Sequence, residues 1–194
     1  TLLSATIISI AIITPLCLII ELFKVSETPM RNIATTILGV LYITIPLSLM
    51  MYIPMLLAGK EWQPWYFLFY LFIVWGNDIF AYLVGITLGR HRLCERISPK
   101  KSWEGFFGGI AGALGVGALG AWLLDGSYAL WLGLAAVVAI SSVFGDLAES
   151  MFKREAGIKD SGNFIPGHGG MLDRFDALLL SSFFAFAYLA IMLF

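Results

Sequence analysis

Six stretches of nearly unbroken apolar residues divide this chain, at roughly 2–23, 32–58, 64–89, 104–124, 128–150 and 174–194. Each supplies the about 20 mostly apolar residues that a helix needs to cross the hydrocarbon of a bilayer. The pattern predicts an all-α polytopic integral membrane protein with about six transmembrane helices. Pro46 and Pro54 fall inside the second stretch, where they should kink it or mark its approach to the interface. Trp62, Trp65 and Tyr66 gather where the third begins, as interfacial aromatic anchors do. Residues 1–60 read as N-terminal membrane helices and 61–194 as the membrane core that carries chemistry.

Composition agrees with lipid as the solvent: 59% of residues are hydrophobic and mean hydropathy is +0.88. Charge adds direction. Eleven of the twelve basic residues lie in the loops after the first, third and fifth stretches, and Lys60 is the exception. The positive-inside rule then places those loops in the cytoplasm and both ends of the sequence outside, in an inner or cytoplasmic membrane. A net charge of −1 without a basic stripe argues against nucleic acid as a partner. Cys17 and Cys94 match no metal or redox spacing, and the first stretch lacks the basic flank and cleavage site of a signal peptide. The fourth stretch is rich in glycine, with Gly105/Gly109 and Gly108/Gly112 at GxxxG spacing. Such a face lets a neighbouring helix approach closely, within the chain or across a homodimer.

Acidic residues at the spans are the informative anomaly, because a charge at bilayer depth costs at least about 2.5–3.5 kcal/mol. Asp78 lies within the third span, Asp146 and Glu149 close to the end of the fifth, and Asp173 and Asp176 at the start of the sixth. Asp146 and Glu149 are one helical turn apart and share a face, as do Asp173 and Asp176. The loop 151–172 keeps both pairs on one membrane side. Carboxylates from two helices converging there suit a hard, oxygen-seeking cation such as Mg²⁺, whereas no Cys or His cluster suits zinc. Asp176 could equally stabilise its helix N-terminus, an explanation that fails for Asp146 at the end of a helix. Asp78 fits either a hydrogen bond between helices or a polar role in the cavity.

Basic and flexible residues accompany these acids. Lys100 and Lys101 stand in "SPKKSWEG", with Ser102 as the expected N-cap of the fourth span and Glu104 in its first turn. "PGHGG" (166–170) is a turn whose N–H groups could approach an oxyanion. Acids for a metal, cations for phosphates and a permissive backbone on one side make the outfit of a phosphoryl- or nucleotidyl-transfer site.

The stretch 153–176, "KREAGIKDSGNFIPGHGGMLDRFD", together with Ser150, matches S-x-x-K-R-x4-K-D…P-x-H-G-G-x-x-D-R-x-D. This resembles the signature of the CDP-diacylglycerol synthase, or phosphatidate cytidylyltransferase, family of membrane enzymes. "GNDIFAYLVG", "SPKKSWEGFFGG" and "FGDLAESMFKR" resemble it too, so that the likeness runs from about Trp75 to Asp176. Members usually carry further spans at the N-terminal end. The resemblance implies transfer of a cytidylyl group from CTP to phosphatidate in the bilayer, with Mg²⁺ required, a second cation possible, and Asp146 and Asp173 as metal ligands. Asp176 and Lys159 are expected to join them in catalysis. Lys100, Lys101, Lys153, Arg154, His168, Arg174 and Asp78 are expected to contact substrates, His168 by a hydrogen bond to a phosphate oxygen. Rival readings are a CDP-archaeol synthase, a polyprenol kinase, an ion-coupled transporter and an inactive assembly unit.

Overall fold

The structure is a computed structural model and describes residues 2–59, 61–159, 161–162 and 170–193. Six helices run α1 (Leu2–Phe23), α2 (Pro29–Leu57), α3 (Pro64–Leu88), α4 (Trp103–Leu123), α5 (Tyr128–Glu155) and α6 (Leu172–Leu193). All six are long and apolar enough to span a membrane, and the protein is an integral membrane protein. Proline opens α2 and α3 at positions where a missing N–H costs nothing. The Ser102 hydroxyl accepts the Gly105 N–H at 3.1 Å, so Ser102 is the N-cap of α4 as its sequence suggests. Pro46 and Pro54 are buried within α2, which continues through both as one helix.

Two features depart from the sequence pattern. First, α5 does not stop near residue 150. It continues to Glu155, so that Lys153 and Arg154 occupy its last turn, where cations are favoured by the helix dipole. Second, the segment between α3 and α4 contains a short antiparallel ribbon, β1 (Arg92–Cys94) with β2 (Ser98–Ser102). Glu104 clasps this ribbon to α4: its carboxylate accepts the Arg90 N–H at 3.1 Å and the His91 N–H at 3.3 Å, and meets His91 Nδ1 at 2.6 Å.

Packing follows side-chain size. The glycine face of α4 is filled by α3 within the same chain: a Cβ added at Gly105 would lie 2.7 Å from the Ala81 carbonyl oxygen, and one at Gly109 would lie 2.6 Å from Asn77 Oδ1. Asn77 Nδ2 in turn donates to Ser142 Oγ at 3.0 Å, joining α3 to α5. At one end of the bundle Trp131 is sealed between Tyr66 and Phe69, with ring centroids 6.0 and 6.1 Å away. Helix α1 is peripheral and mostly exposed, tied to α2 by a 2.6 Å hydrogen bond between Thr6 and Ser48.

Candidate active site

Helices α5 and α6 converge because Gly145 has no side chain. A Cβ there would lie 2.6 Å from the backbone carbonyl of Asp176, so glycine lets the first turns of α6 rest against α5 beside Asp146. The acids at this end are held by two lysines. Lys101 reaches from β2 to Asp146 Oδ2 at 2.6 Å and to the Val143 carbonyl at 3.4 Å. Ser150, one turn further along α5, donates to Asp146 Oδ1 at 3.3 Å. Lys153 lies between Glu149 Oε2 at 2.5 Å and Asp173 Oδ1 at 2.7 Å.

Asp173 is a structural hub. Its Oδ2 accepts the Ser161 N–H at 2.9 Å, the Ser161 hydroxyl at 2.8 Å and the Gly170 N–H at 2.8 Å. It therefore pins two distant parts of the α5–α6 connection to the start of α6. Asp176 Oδ1 accepts the N–H of Ala177 at 2.7 Å and interacts electrostatically with Asp146, Glu149 and Asp78. Glu149 is fully buried, and its Oε1 has no hydrogen-bond partner among the described residues.

A cavity of about 620 Å³ opens beside this cluster, between α3, the ribbon, α4 and α5. Asp78, Lys100, Lys101 and Asp146 line its polar part, and Ile86, Leu93 and Phe106 contribute apolar walls. Asp78 thus faces a cavity, and its neighbour Asn77 makes the hydrogen bond between helices. Arg154 in the last turn of α5, Lys159 in the connection and Arg174 in the first turn of α6 are exposed. His168 and the turn 166–169 lie outside the described residues.

Comparison with known proteins decides the family. The profile of the Cytidylyltransferase family matches residues 1–192. The chain belongs to the cytidylyltransferase family. Among curated relatives, the phosphatidate cytidylyltransferase of Synechocystis sp. is 48% identical over 122 residues, which cover 62% of this chain and 41% of that protein. The protein of that name from Pseudomonas aeruginosa is 52% identical over 109 residues, covering 55% and 40%. That from Rickettsia bellii is 38% identical over 159 residues, covering 78% and 67%. The matched regions thus span about two fifths of the first two relatives and about two thirds of the third.

The cytidylyltransferase fold brings together Asp78, Lys100, Lys101, Asp146, Lys153, Asp173 and Asp176 from the expected set. It adds Arg92, which lines the cavity from β1, and Ser161, which binds Asp173. Arg92 sits in the basic loop after α3 and was legible as a charge without an address. Ser161 carries no signal beyond its place between "KD" and the glycine-rich turn.

The donor set can be tested for a divalent cation from its own chemistry. Among the described residues no three His, Cys, Asp or Glu side chains form a ready-made metal cluster. Instead Asp146 and Asp173 each hold an ammonium group where a cation would bind. Among the described residues, Asp78, Asp146, Glu149 and Asp173 share Lys101 and Lys153, while Asp176 interacts with Asp146, Glu149 and Asp78. That excess of hard anionic oxygen, including the unpartnered Glu149 Oε1, fits a divalent cation.

Proposed function

We propose that this protein transfers the cytidylyl group of CTP to phosphatidate, giving CDP-diacylglycerol and pyrophosphate. The observation that carries this reading is the convergence of carboxylates from α3, α5 and α6 with Lys101 and Lys153 at one end of a membrane bundle, beside a cavity. The names of the relatives supply the acceptor and the nucleotide.

A phosphatidate oxygen is already anionic at neutral pH, so the attack on the α-phosphorus of CTP needs no general base. One P–O bond forms, the bond to the β-phosphate oxygen breaks, and pyrophosphate leaves with the electron pair. The barrier is repulsion between polyanions, lowered by fixed positive charge and by alignment. Asp146 and Asp173 would hold Mg²⁺, with Asp176 close by, and the ion would supply charge neutralisation at the reacting phosphates. Lys100, Lys101 and Arg92 line the cavity with positive charge suited to a triphosphate. Arg154, Lys159 and Arg174 are exposed cations suited to the remaining phosphate groups. Lys153 can assist a phosphate only by leaving Asp173 or Glu149, both of which it contacts.

The site suits an interfacial reaction on the cytoplasmic side. CTP arrives from water while the acyl chains of phosphatidate stay in lipid, and the basic loops after α1, α3 and α5 mark the cytoplasmic face. The test is incubation of purified protein with CTP, phosphatidate and Mg²⁺. Pyrophosphate release that requires both substrates, with α-label from CTP entering the lipid, supports the reading. Entry of γ-label indicates a kinase, and ion flux into liposomes without CTP indicates a transporter; either result overturns it.

A further inference from the structure

Tyr42 has no place in the chemistry described so far, and it comes from α2, upstream of the signature stretch. Its ring packs edge-on against Phe152 of α5, with centroids 5.5 Å apart and planes at 90°. The hydroxyl is buried and has no hydrogen-bond partner among the described residues. It nevertheless interacts electrostatically with Asp176 and Glu149, the acids on α6 and α5. A phenol can donate one hydrogen bond and adds no charge.

The neighbours make this placement informative. Asp146 and Asp173 each have a lysine, and Asp173 has three further donors. Asp176, by contrast, accepts only the adjacent backbone N–H of Ala177 among the described residues. A buried donor is costly to leave without an acceptor. The backbone at Tyr42 has room to adjust, since Pro46 has no N–H to bond the carbonyl four residues before it.

We propose, on the cytidylyl-transfer reading above, that Tyr42 is a positioning residue whose hydroxyl donates to Asp176 and orients that carboxylate when the site takes up its cation and substrates. Helix α2 is thereby part of the active site and not only of its scaffold. The neutral donor fixes the carboxylate without competing for the cation, as an ammonium group would.

The experiment compares the wild-type protein, Tyr42→Phe and Tyr42→Ala in detergent. Phenylalanine keeps the ring against Phe152 and removes the hydroxyl alone. Three quantities are read: the thermal midpoint, kcat and KM for CTP, and the affinity for Mn²⁺ measured by electron paramagnetic resonance. Tyr42→Phe is expected to keep the wild-type midpoint and CTP KM, to lose about tenfold in kcat, and to bind Mn²⁺ several-fold more weakly, the scale of one hydrogen bond to a charged group. Wild-type turnover and Mn²⁺ affinity in Tyr42→Phe, with losses confined to Tyr42→Ala, make Tyr42 a packing residue and overturn the proposal. A kcat loss in Tyr42→Phe accompanied by a matching fall in midpoint overturns it as well. An inactive wild-type protein would instead refute the cytidylyl-transfer reading, a result distinct from either.

Discussion

Two lysine–carboxylate clusters stand within one turn of α5 of each other, and they are built differently. Lys101 and Asp146 pair at the cavity wall, with side chains 23% and 38% exposed. Lys153 joins Glu149 and Asp173 in a nearly sealed site, where the side chains are 16%, 0% and 13% exposed. In the open pair, water competes for both charges and exchange of partners costs little. In the sealed cluster each charge depends on the others, because Glu149 has no access to water and Lys153 and Asp173 have little. The open pair is thus suited to meeting an incoming anion, and the sealed one to holding α5, α6 and their connection in register.

Breaking the sealed cluster should have the largest effect. Lys153→Met leaves Glu149 and Asp173 facing each other with no intervening cation. Removing one partner of a buried pair costs about 3–5 kcal/mol. The thermal midpoint of the variant in detergent should fall steeply, and a double variant Lys153→Met/Glu149→Gln should recover part of the loss. An unchanged midpoint would show that the cluster is wet and that the contrast with Lys101 is false.

Next comes chemistry at the junction of the two clusters. Asp146→Asn keeps volume and removes charge from the carboxylate held by Lys101. Turnover should fall about 10²- to 10³-fold, the scale of removing one electrostatic element from a transfer site. Stability should change little, since Asp146 is partly exposed. Substantial Mg²⁺-dependent turnover in this variant would remove Asp146 from the list of metal ligands. A purely packing effect, third in size, is expected of Gly109→Ala. Its new Cβ would press on Asn77 Oδ1 at 2.6 Å and on the Asn77 carbonyl at 2.9 Å. Overpacking of this kind costs about 1–3 kcal/mol. The midpoint should drop while KM for CTP stays near wild type, because Gly109 does not line the cavity.

The contrast also explains which parts of the molecule the sequence reveals. Six spans are legible because a helix that satisfies its own backbone hydrogen bonds in a bilayer must be a long apolar run. The glycine spacing of α4 likewise points to close packing, and the structure supplies α3 as the neighbour. The end of α5 was misplaced because the apolar pattern stops near Ser150, whereas the helix is prolonged by Lys153 and Arg154. Their charges suit a helix C-terminus, and Lys153 gains Glu149 one turn back and Asp173 across the loop. The ribbon was missed because strands of three and five residues, one containing Pro99, leave no alternating pattern to read. For the site, residue types and their gathering at one end of the bundle were legible but partners were not. Lys153 and Glu149 are four residues apart, so their pair follows from helical geometry. Lys101 and Asp146 are far apart in sequence, and only the fold joins them. Tyr42 is the extreme case, one aromatic residue in an apolar span with nothing local to mark its hydroxyl.

The smallest structural effect belongs to Lys101, and there the comparison is sharpest. Replacing Lys101 with Met leaves Asp146 partly exposed to the cavity, where water can solvate it. Exposed pairs contribute about 0–1 kcal/mol, so the midpoint should move far less than in Lys153→Met. The functional effect should run the other way from the structural one. Lys101 is a cavity-lining cation suited to a triphosphate, and its loss should raise KM for CTP while the dependence on Mg²⁺ is retained. Titrating CTP at saturating Mg²⁺, and then Mg²⁺ at saturating CTP, separates the two. A shift confined to the Mg²⁺ titration would mean that Lys101 serves Asp146 rather than the nucleotide. The open pair would then serve the cation and not the nucleotide.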